Sequence, residues 1–419
     1  MAIIIEQEPQ AYTPAFNQSP WVIRETDVSG ALGDWRMNIT VISETLQGQV
    51  IANHIMRFRQ AADGSRRVVY DPSEIVQSFL SFDHSPLSSD GPWKIAPNSI
   101  HFYRLGISTQ QYVNGRWVNN KSVQSNVRGM FNGVVNYYAF PSYNQFALVS
   151  VNGQVPRPLT AYTPTIRDIG SNESLFVHFI QGQELALKEF GITKYPLPNL
   201  QGTPLPADPT QVNPFQWFTG FPSIDGDQYS RRRVRVGIGT RDLKNIGSPI
   251  SFAGVQSYRI RFVMGTGETL DFNFNITDCA KYTPTRLHWL NPFGGFDAYT
   301  FKMKSREEDS VKRSSFRKQV NELSGGSYGY TRADHAMTDY HTTRQTEIIL
   351  NSDLLTDSEH NVMMRDLTSS PVIFLEDTNG FTAINGKDTK FTTKRGVQDG
   401  TFHIEVKMAS THLQTLQRL

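Results

Sequence analysis

The segment RADHAMTDYHTT brings together four side chains that could bind a metal ion, Asp334, His335, Asp339 and His341. Imidazole and carboxylate groups are common ligands of Zn²⁺ and other divalent ions. The spacing of the two histidines places them on one face of a strand but not of a helix. No residue can be named that would accept a hydrogen bond from the other nitrogen of either ring and so orient it toward a metal ion. We interpret the segment as solvated polar residues in a loop, and we predict no metal ion and no cofactor.

Other catalytic signatures are incomplete. The glycines of VMGTGETL (Val263 to Leu270) resemble a phosphate loop, but the Lys-Ser/Thr ending is missing, so a turn between two strands is the simpler interpretation. DGDQ (Asp225 to Gln228) has two acids at calcium-loop spacing without the later bidentate glutamate. We predict that the protein is not an enzyme. A hydrolase with dispersed carboxylates stays open, because its two acids need not be close in sequence.

A short basic segment could contact nucleic acid. In SRRRVRV, alternation places Arg231, Arg233 and Arg235 on one side of a strand, where they could face phosphates. The alternative is an ordinary solvated face opposite Val234 and Val236. The formal net charge of +2 favours the solvated face. A channel through which nucleic acid passes is compatible with both.

The stretch RLHWLNPFGGFDAYTF (Arg286 to Phe301) has the most distinctive pattern in the chain. Asn-Pro and Gly-Gly pairs predict a tight bend, and glycines allow backbone or aromatic rings to approach closely. Aromatic side chains around the bend supply apolar area. We interpret the stretch either as a core corner that joins two sheets or as a direct contact between subunits. The candidate packing or assembly residues are Trp289, Asn291, Gly294, Gly295, Phe296 and Tyr299.

The elements that position these residues are predicted to be mainly strands. Thirty-one Gly, 22 Pro and a charged fraction of 19% indicate many turns and few long helices. WRMNITVI (Trp35 to Ile42) alternates apolar and polar residues, and Asn114-Gly115 is a strong hairpin signal. The fold class that we predict is mainly β, with two or more β-sandwich-like domains and two short α-helices.

The two helices are predicted at 72–80 and 357–368, each after a capping-box pattern. We expect an N-terminal β-rich domain over 1–160 and a second β domain over 161–301 with a proline-rich arm at 195–222. Residues 302–339 are charged and poor in apolar residues, which predicts an exposed connection. A C-terminal β segment is expected over 340–419.

The lone Cys279 excludes an intramolecular disulfide and fits a reducing cytoplasm. The start MAIIIEQEPQ lacks the basic region of a signal peptide, and no apolar run approaches the roughly 18 residues of a membrane span. We therefore expect a soluble protein made inside a cell, with no membrane partner.

Three blocks of sequence resemble structural tail or connector proteins of phages that infect Bacteroidetes, including the crAss-like group. The first comprises AYTPAFNQSPWVI, WRMNITVI and VVYDPSEIVQSFLSF. The second, LHWLNPFGGFDAYTF, resembles the family's Trp-x-Asn-x-x-Gly-Gly-x-Asp-x-Tyr-x-Phe signature, although here Pro292 follows the asparagine directly. The third, MMRDLTSSPVIFLED, is similar to its closure from helix to strand.

The resemblance implies a structural virion subunit of the tail, collar or baseplate, made in the bacterial cytoplasm and repeated around the particle axis. Its expected partners are copies of itself and other virion proteins, with transient proximity to nucleic acid in a channel. Exposed strand edges, the proline-rich arm and aromatic corners are the expected contact surfaces. A carbohydrate-binding protein is the alternative from another class, because the chain has 16 Tyr, 26 Phe and 6 Trp; Trp289 and Trp217 are its candidate binding residues. Ring symmetry and position in the particle are left open.

Overall fold

The structure is a computed structural model of the 419-residue chain. It describes residues 3–26, 34–60, 66–85, 91–135, 147–148, 158–160, 166–181, 187–196, 216–221, 229, 232–265, 267, 269–278, 281–317, 322–324, 326–329, 335–353, 355, 359, 363–387, 405–411 and 414–415. The chain divides into two compact units. Unit 1 contains Met1–Asp278 and Leu290–Asp297, and unit 2 contains Cys279–Trp289 and Ala298–Leu419.

Of the strands in the described residues, nineteen lie in unit 1. In chain order they are β1 (Ile3–Gln7), β2 (Tyr12–Pro14), β3 (Trp21–Glu25), β4 (Trp35–Ser43), β5 (Gln49–Arg57), β6 (Arg59–Gln60), β7 (Arg66–Tyr70), β8 (Trp93–Ile95), β9 (Ile100–Val113), β10 (Arg116–Gln124), β11 (Arg128–Phe131), β12 (Ala147–Leu148), β13 (Ile166–Ile169), β14 (Phe176–Gln181), β15 (Leu187–Pro196), β16 (Gln216–Thr219), β17 (Arg233–Gly237), β18 (Val255–Met264) and β19 (Thr269–Ile276).

The first part of unit 1 is a β-sandwich. One sheet has the order β1-β3-β7-β6, and the other has the order β2-β11-β9-β4-β5 with β10 on β9. The predicted strand at Trp35 is confirmed, and its alternating residues are fully or nearly fully buried, so one face enters the core. The predicted hairpin at Asn114-Gly115 is confirmed as well: both residues have positive φ, as a two-residue hairpin turn requires.

The second part of unit 1 contains two more sheets, with the orders β12-β14-β17-β8 and β13-β19-β18-β15-β16. Their aromatic side chains meet: the rings of Phe179 (β14) and Phe262 (β18) are 5.0 Å apart in a T-shaped arrangement. The predicted turn at VMGTGETL joins β18 to β19. Unit 1 is therefore mainly β and sandwich-like, as the composition predicts.

Unit 2 is built on one sheet with the order β21-β20-β26-β27-β28-β25-β22, with β29 on β25, and on a separate two-stranded ribbon. Its strands are β20 (Thr285–Leu290), β21 (Phe296–Phe301), β22 (Arg306–Arg317), β23 (Glu322–Ser324), β24 (Ser327–Gly329), β25 (Met337–Asn351), β26 (Ile373–Asp377), β27 (Gly380–Gly386), β28 (Glu405–Ser410) and β29 (Gln414–Thr415). The core of unit 2 is apolar and includes Leu287, Trp289, Leu350 and Met408.

The helices that the structure describes are few and short. The helix predicted over 72–80 is only α1 (Ser73–Gln77). The backbone N–H of Ser73 donates to the carboxylate of Asp71 at 3.0 Å, but no side-chain cap bond from Glu74 closes the predicted capping box. A further helix, α2 (Thr240–Lys244), follows β17, and a 3-10 turn spans Pro97–Ser99. Within 357–368 the described helical residues are Glu359, a π-helix at Met363–Leu367, and Thr368 directly after it.

Two regions differ from expectation. The predicted proline-rich arm is described at its two ends, where it is strand: β16 pairs antiparallel with β15, using a proline-free segment. The remainder of 195–222 lies outside the described residues. In the predicted exposed connection, Arg306–Arg317 is exposed but is a strand of 12 residues that pairs with β25. Cross-strand hydrogen bonds specify this strand without an apolar face, which is why alternation did not reveal it.

In the part of the chain described here, every helix is too short or too polar to cross a membrane.

Candidate functional site

Asn291 organises the bend that the sequence singles out. Its side-chain oxygen accepts hydrogen bonds from the backbone N–H groups of Phe293 and Gly295, both at 3.0 Å. Its side-chain nitrogen donates to the carbonyl oxygen of Leu159 at 3.1 Å and to Asp297 at 3.0 Å. The side chain is 2% exposed, so its amide replaces water at four buried partners. An asparagine at this position is a structural requirement of the turn.

Two glycines of the bend are required by close approach of other backbone. Gly294 has φ +75°, and a Cβ there would lie 1.9 Å from the carbonyl oxygen of Asn132. A Cβ on Gly295 would lie 2.0 Å from the carbonyl oxygen of Leu159. Both obstacles are backbone atoms, which cannot move aside as a flexible side chain can. The Gly-Gly pair therefore lets the bend pack directly against two other segments of unit 1.

Asp297 closes the bend on its other side. The hydroxyl of Thr160 donates a short hydrogen bond to one carboxylate oxygen, while the Asn291 amide donates to the other. Both Thr160 and Asp297 are buried. The carboxylate thus lies in a polar cluster in the interior of unit 1.

Arg233 of β17 reaches the same bend. The side chain is fully buried, and its guanidinium donates to the carbonyl oxygen of Ser99 at 2.8 Å and, by a short bond, to that of Gly294. Burial lowers the pKa of Arg233 to about 10, partly offset by the nearby negative charge of Asp83. The arginine acts as a fixed donor that joins two backbone segments.

Arg235 is also interior, at 2% exposure. One guanidinium nitrogen donates to the hydroxyl of Ser85 at 2.8 Å, and the group lies 5.0 Å from the ring centroid of Phe176. Burial lowers the pKa of Arg235, and the negative charges of Asp83 and Asp242 oppose that shift. Among the described residues, no hydrogen-bond acceptor faces its Nε or Nη1.

These positions correct both interpretations of the basic strand. Neither Arg233 nor Arg235 faces phosphates or forms a solvated face, because both faces of β17 are covered and Val234 and Val236 are buried too. Alternation of Arg and Val is typical of a half-exposed strand, but packing on both sides overrides it. Arg231 lies outside the described residues.

His178 lies opposite Arg235 in the register of β14 and β17. The ring is 2% exposed, and neither ring nitrogen has a hydrogen-bond partner in the described part of the chain. Burial, with added repulsion from Arg233 and Arg235, holds the pKa of His178 well below its usual range. The imidazole is therefore neutral at pH 7.

The aromatic candidates are packing residues. In unit 1, Phe296 is 2% exposed and stacks on the ring of His84 with centroids 4.1 Å apart. In unit 2, Trp289 is fully buried in the core, and the partly buried Tyr299 makes a T-shaped contact with Phe301 at 5.0 Å. The predicted packing in a core agrees with these contacts, but the bend connects β20 and β21, which are neighbours in one sheet, and does not join two sheets. A contact between subunits through the same stretch stays a prediction.

The start of that stretch contains a polar cluster that the sequence did not indicate. In unit 2, Glu376 accepts from His288 at 2.9 Å and pairs with Arg286 at 3.2 Å, and all three side chains are buried. Arg286 also donates to the hydroxyl of Thr300 at 2.7 Å. Glu376 is distant in sequence from the other residues, so no local pattern could have found this cluster.

The residues proposed for metal chemistry do not form a ligand set in the described part of the chain, where no group of three or more His, Cys, Asp and Glu could hold a metal ion. Asp339 pairs with Arg313 at 3.4 Å, and His341 lies opposite Ser314 in the β22–β25 ladder. Asp334 and the DGDQ segment lie outside the described residues.

Sequence reasoning also missed the arm formed by β22 and β25. β25 pairs with β28 at Glu347–Asn351 and with β29 at Thr343 and Arg344, while its first residues, from Met337, pair only with β22 in the described chain. The exposed apolar side chains of the arm are Val311, Phe316, Met337 and Tyr340, from 46% to 59% exposed. We call this two-stranded element the arm.

Comparisons with known proteins assign no family. No protein-family model matches the chain, and no curated protein matches it. Among solved structures, the extracellular cadherin domains 1–4 of protocadherin gamma B7 align at 8% identity over 83% of this chain and 72% of that chain, with a TM-score of 0.16. EC1-4 of PcdhgB3 aligns at 9% identity over 83% and 71%, with a TM-score of 0.12. Similarity this low carries no argument about fold or function.

Proposed function

We propose that the protein is a structural subunit of a virion, in a phage tail, collar or baseplate, and that it works through contacts with copies of itself and with other virion proteins. The arm is the observation that carries this proposal. It projects charged and apolar side chains on both faces of two strands, and it buries few of them within the protomer.

In the described part of the chain, only the outer part of the arm, Arg313–Arg317 with Met337–Thr342, is two-stranded. A two-stranded ribbon is marginally stable on its own in water. The ring of Phe316 lies 6.1 Å from that of Tyr340, and both side chains are about half exposed. Exposed aromatic residues on such an element are typical of a surface that becomes covered in a complex. In an assembly, neighbouring subunits would cover the exposed side chains of the arm.

Purified particles of the source phage provide the test. We expect the chain in the tail fraction, at a copy number that is constant between preparations, as measured by quantitative mass spectrometry. A Phe316→Ser/Tyr340→Ser variant should be depleted from particles while the isolated chain stays folded. Absence of the wild-type chain from purified particles would refute the proposal.

Glycan binding remains the alternative, and one observation favours it. Trp217 on the edge strand β16 is 44% exposed, so a sugar could stack on its ring. Trp289 is corrected as a candidate, because it is fully buried. Binding to a glycan array that is lost in Trp217→Ala but kept in Tyr340→Ala would support this function over assembly. Absence of binding across the array would exclude it.

A further inference from the structure

In the part of the chain that the structure describes, the outer edge of the arm is an unpaired strand. β22 is the last strand of its sheet and, among the described residues, pairs only with β25. Ten of its 12 residues are exposed, and Ser310 and Ser314 are partly buried. Its second row of backbone N–H and C=O groups is therefore positioned for one more strand.

After Arg306, the charges of β22 fall into two groups of opposite sign, and with Ser310 on a two-fold axis Arg306 itself would face the uncharged Ser314. Glu307, Glu308 and Asp309 precede Ser310-Val311, and Lys312 and Arg313 follow. Charges of a single sign would repel another copy of the same strand. Many edge strands carry such charges, which prevent pairing between edges. This arrangement instead makes the strand complementary in charge to a second copy of itself that runs antiparallel.

Intrachain contacts leave these charges available. Asp309 accepts from the hydroxyl of Thr346 at 2.7 Å and lies 3.8 Å from Arg344. Arg313 lies 3.4 Å from Asp339, and its side chain is 66% exposed. Such solvated ion pairs are weak, so they compete little with a new partner.

Backbone geometry restricts the possible registers. Along a strand, alternate residues direct N–H and C=O to the same edge, so in an antiparallel self-pairing each residue lies opposite one of the same parity. A residue, not a bond between residues, must then lie at the two-fold axis. With Ser310 on the axis, Glu307 falls opposite Arg313 of the partner subunit and Glu308 falls opposite Lys312 of the partner subunit.

We infer that β22 pairs antiparallel with β22 of a second copy, about a two-fold axis at Ser310. Symmetry repeats both charge pairs, giving four in all, and a short uncharged side chain meets its own copy at the axis. This inference rests on the proposed function and specifies one of its interfaces. A two-fold contact of this kind is self-complementary and closed, and it removes the free edge.

Neighbouring arrangements are less favourable. With Val311 on the axis, only Asp309 and Arg313 of the partner subunit are opposed, and Glu308 lies opposite Ser314 of the partner subunit. Parallel in-register pairing would place every charge beside its own copy, which destabilises the contact. The axis at Ser310 matches the largest number of opposite charges.

Charge reversal on the full chain tests the inference. Variant one, Glu307→Lys/Glu308→Lys, makes the four positions basic; variant two, Lys312→Glu/Arg313→Glu, makes them acidic. Sedimentation equilibrium should show that each reversed chain self-associates about 100-fold more weakly than wild type, because all four pairs become repulsive. A 1:1 mixture should form a heterodimer, since each position then faces an opposite charge.

A quadruple variant with all four reversals should recover homodimerisation. Arg57→Glu/Arg116→Glu is the matched control: it changes net charge as variant two does, at exposed positions of unit 1, and should self-associate like wild type. All four substituted positions are exposed, and an unchanged circular dichroism melting curve verifies that each variant folds.

Two results overturn the inference. One is a wild-type chain that is monomeric at every concentration. The other is wild-type affinity in both reversed variants, with no preference for the 1:1 mixture. Neither result decides the proposed function: presence of the chain in purified particles tests that separately, and assembly through other surfaces would survive both outcomes.

Discussion

The bend at Leu290–Asp297 and the arm use polar residues in opposite ways. In the bend, Asn291 and Asp297 are buried, and each makes hydrogen bonds to other interior groups. In the arm, Asp309 and Arg313 are exposed, and their contacts with Thr346, Arg344 and Asp339 are solvated. The polar groups of the bend are hydrogen-bonded within the protomer, whereas those of the arm are accessible to solvent or to a partner.

For the proposed function in assembly, the difference shows which region has side chains that a partner can reach. The motif NPFGG tolerates few other residues because its surroundings are crowded. Its side chains and backbone are already in contact with other parts of the protomer. A charged strand without an apolar face looks unremarkable in the sequence, yet it is accessible. Four measurements on the purified chain test the difference between the bend and the arm.

The largest effect is expected for glycine substitutions. Gly294→Ala places a Cβ within 1.9 Å of a backbone oxygen and should lower the free energy of unfolding by at least about 4 kcal/mol, or prevent folding. Gly326→Ala is the control: its φ is +86°, similar to that of Gly294, but nothing lies within 4 Å of the new Cβ. It should cost about 1 kcal/mol from backbone strain alone. Equal costs in chemical denaturation would contradict the crowding argument.

Removing the Asn291 side chain should have the next largest effect. Asn291→Ala leaves the N–H groups of Phe293 and Gly295 and the carbonyl of Leu159 without their partner, which should cost about 3 kcal/mol. In the arm, Thr346→Val removes one exposed hydrogen bond to Asp309 and should change stability by less than about 0.5 kcal/mol. Urea denaturation of both variants measures the contrast. It disappears if the two costs are similar.

A third measurement is the pH dependence of stability. Because the folded pKa of His178 is depressed, the unfolded chain binds a proton below about pH 6.5 that the folded chain does not, so stability falls as pH falls from that value. His101 adds to the loss down to its pKa of about 4, which burial causes. Each group contributes at most about 1.4 kcal/mol per pH unit in this window.

His178→Gln should flatten the slope of unfolding free energy between pH 6.5 and 5. His335→Gln, at an exposed position just before the arm, controls for loss of one titratable side chain. If both variants keep the wild-type slope, the buried imidazole does not drive acid sensitivity.

The smallest effect is expected for ion pairs of the arm. A double-mutant cycle on Arg313 and Asp339, with both changed to Ala, should give a coupling energy below about 0.5 kcal/mol that shrinks further in 0.5 M salt. A coupling above about 2 kcal/mol would mean that the arm is organised within the protomer, like the bend. It would then be a poor candidate for partner contact.

Local patterns were sufficient for elements whose neighbours in the fold are also neighbours in the chain. The strand at Trp35 follows from alternation, and the hairpin at Asn114-Gly115 follows from the φ > 0 demanded by its turn. The fold class was predictable for the same reason. The strand β22 was missed because its pairing, not its side chains, makes it a strand.

The candidate residues at the bend were recognisable, but their role was not. Asn-Pro and Gly-Gly predict a bend in any context, whereas the oxygens that exclude a Cβ belong to Asn132 and Leu159, more than a hundred positions away. Likewise, Arg233 and Arg235 alternate with valines as they would on a surface strand. Only the covering of both faces of β17 makes them interior donors.

Sequence alone therefore determined the alternating strand at Trp35, the turn at Asn114-Gly115 and the mainly β fold class, since those properties depend on near neighbours along the backbone. Tertiary structure decided which polar groups are removed from water and which edge remains open. Desolvation depends on what packs against a residue, and at Arg233 and Asn291 those partners come from distant parts of the chain.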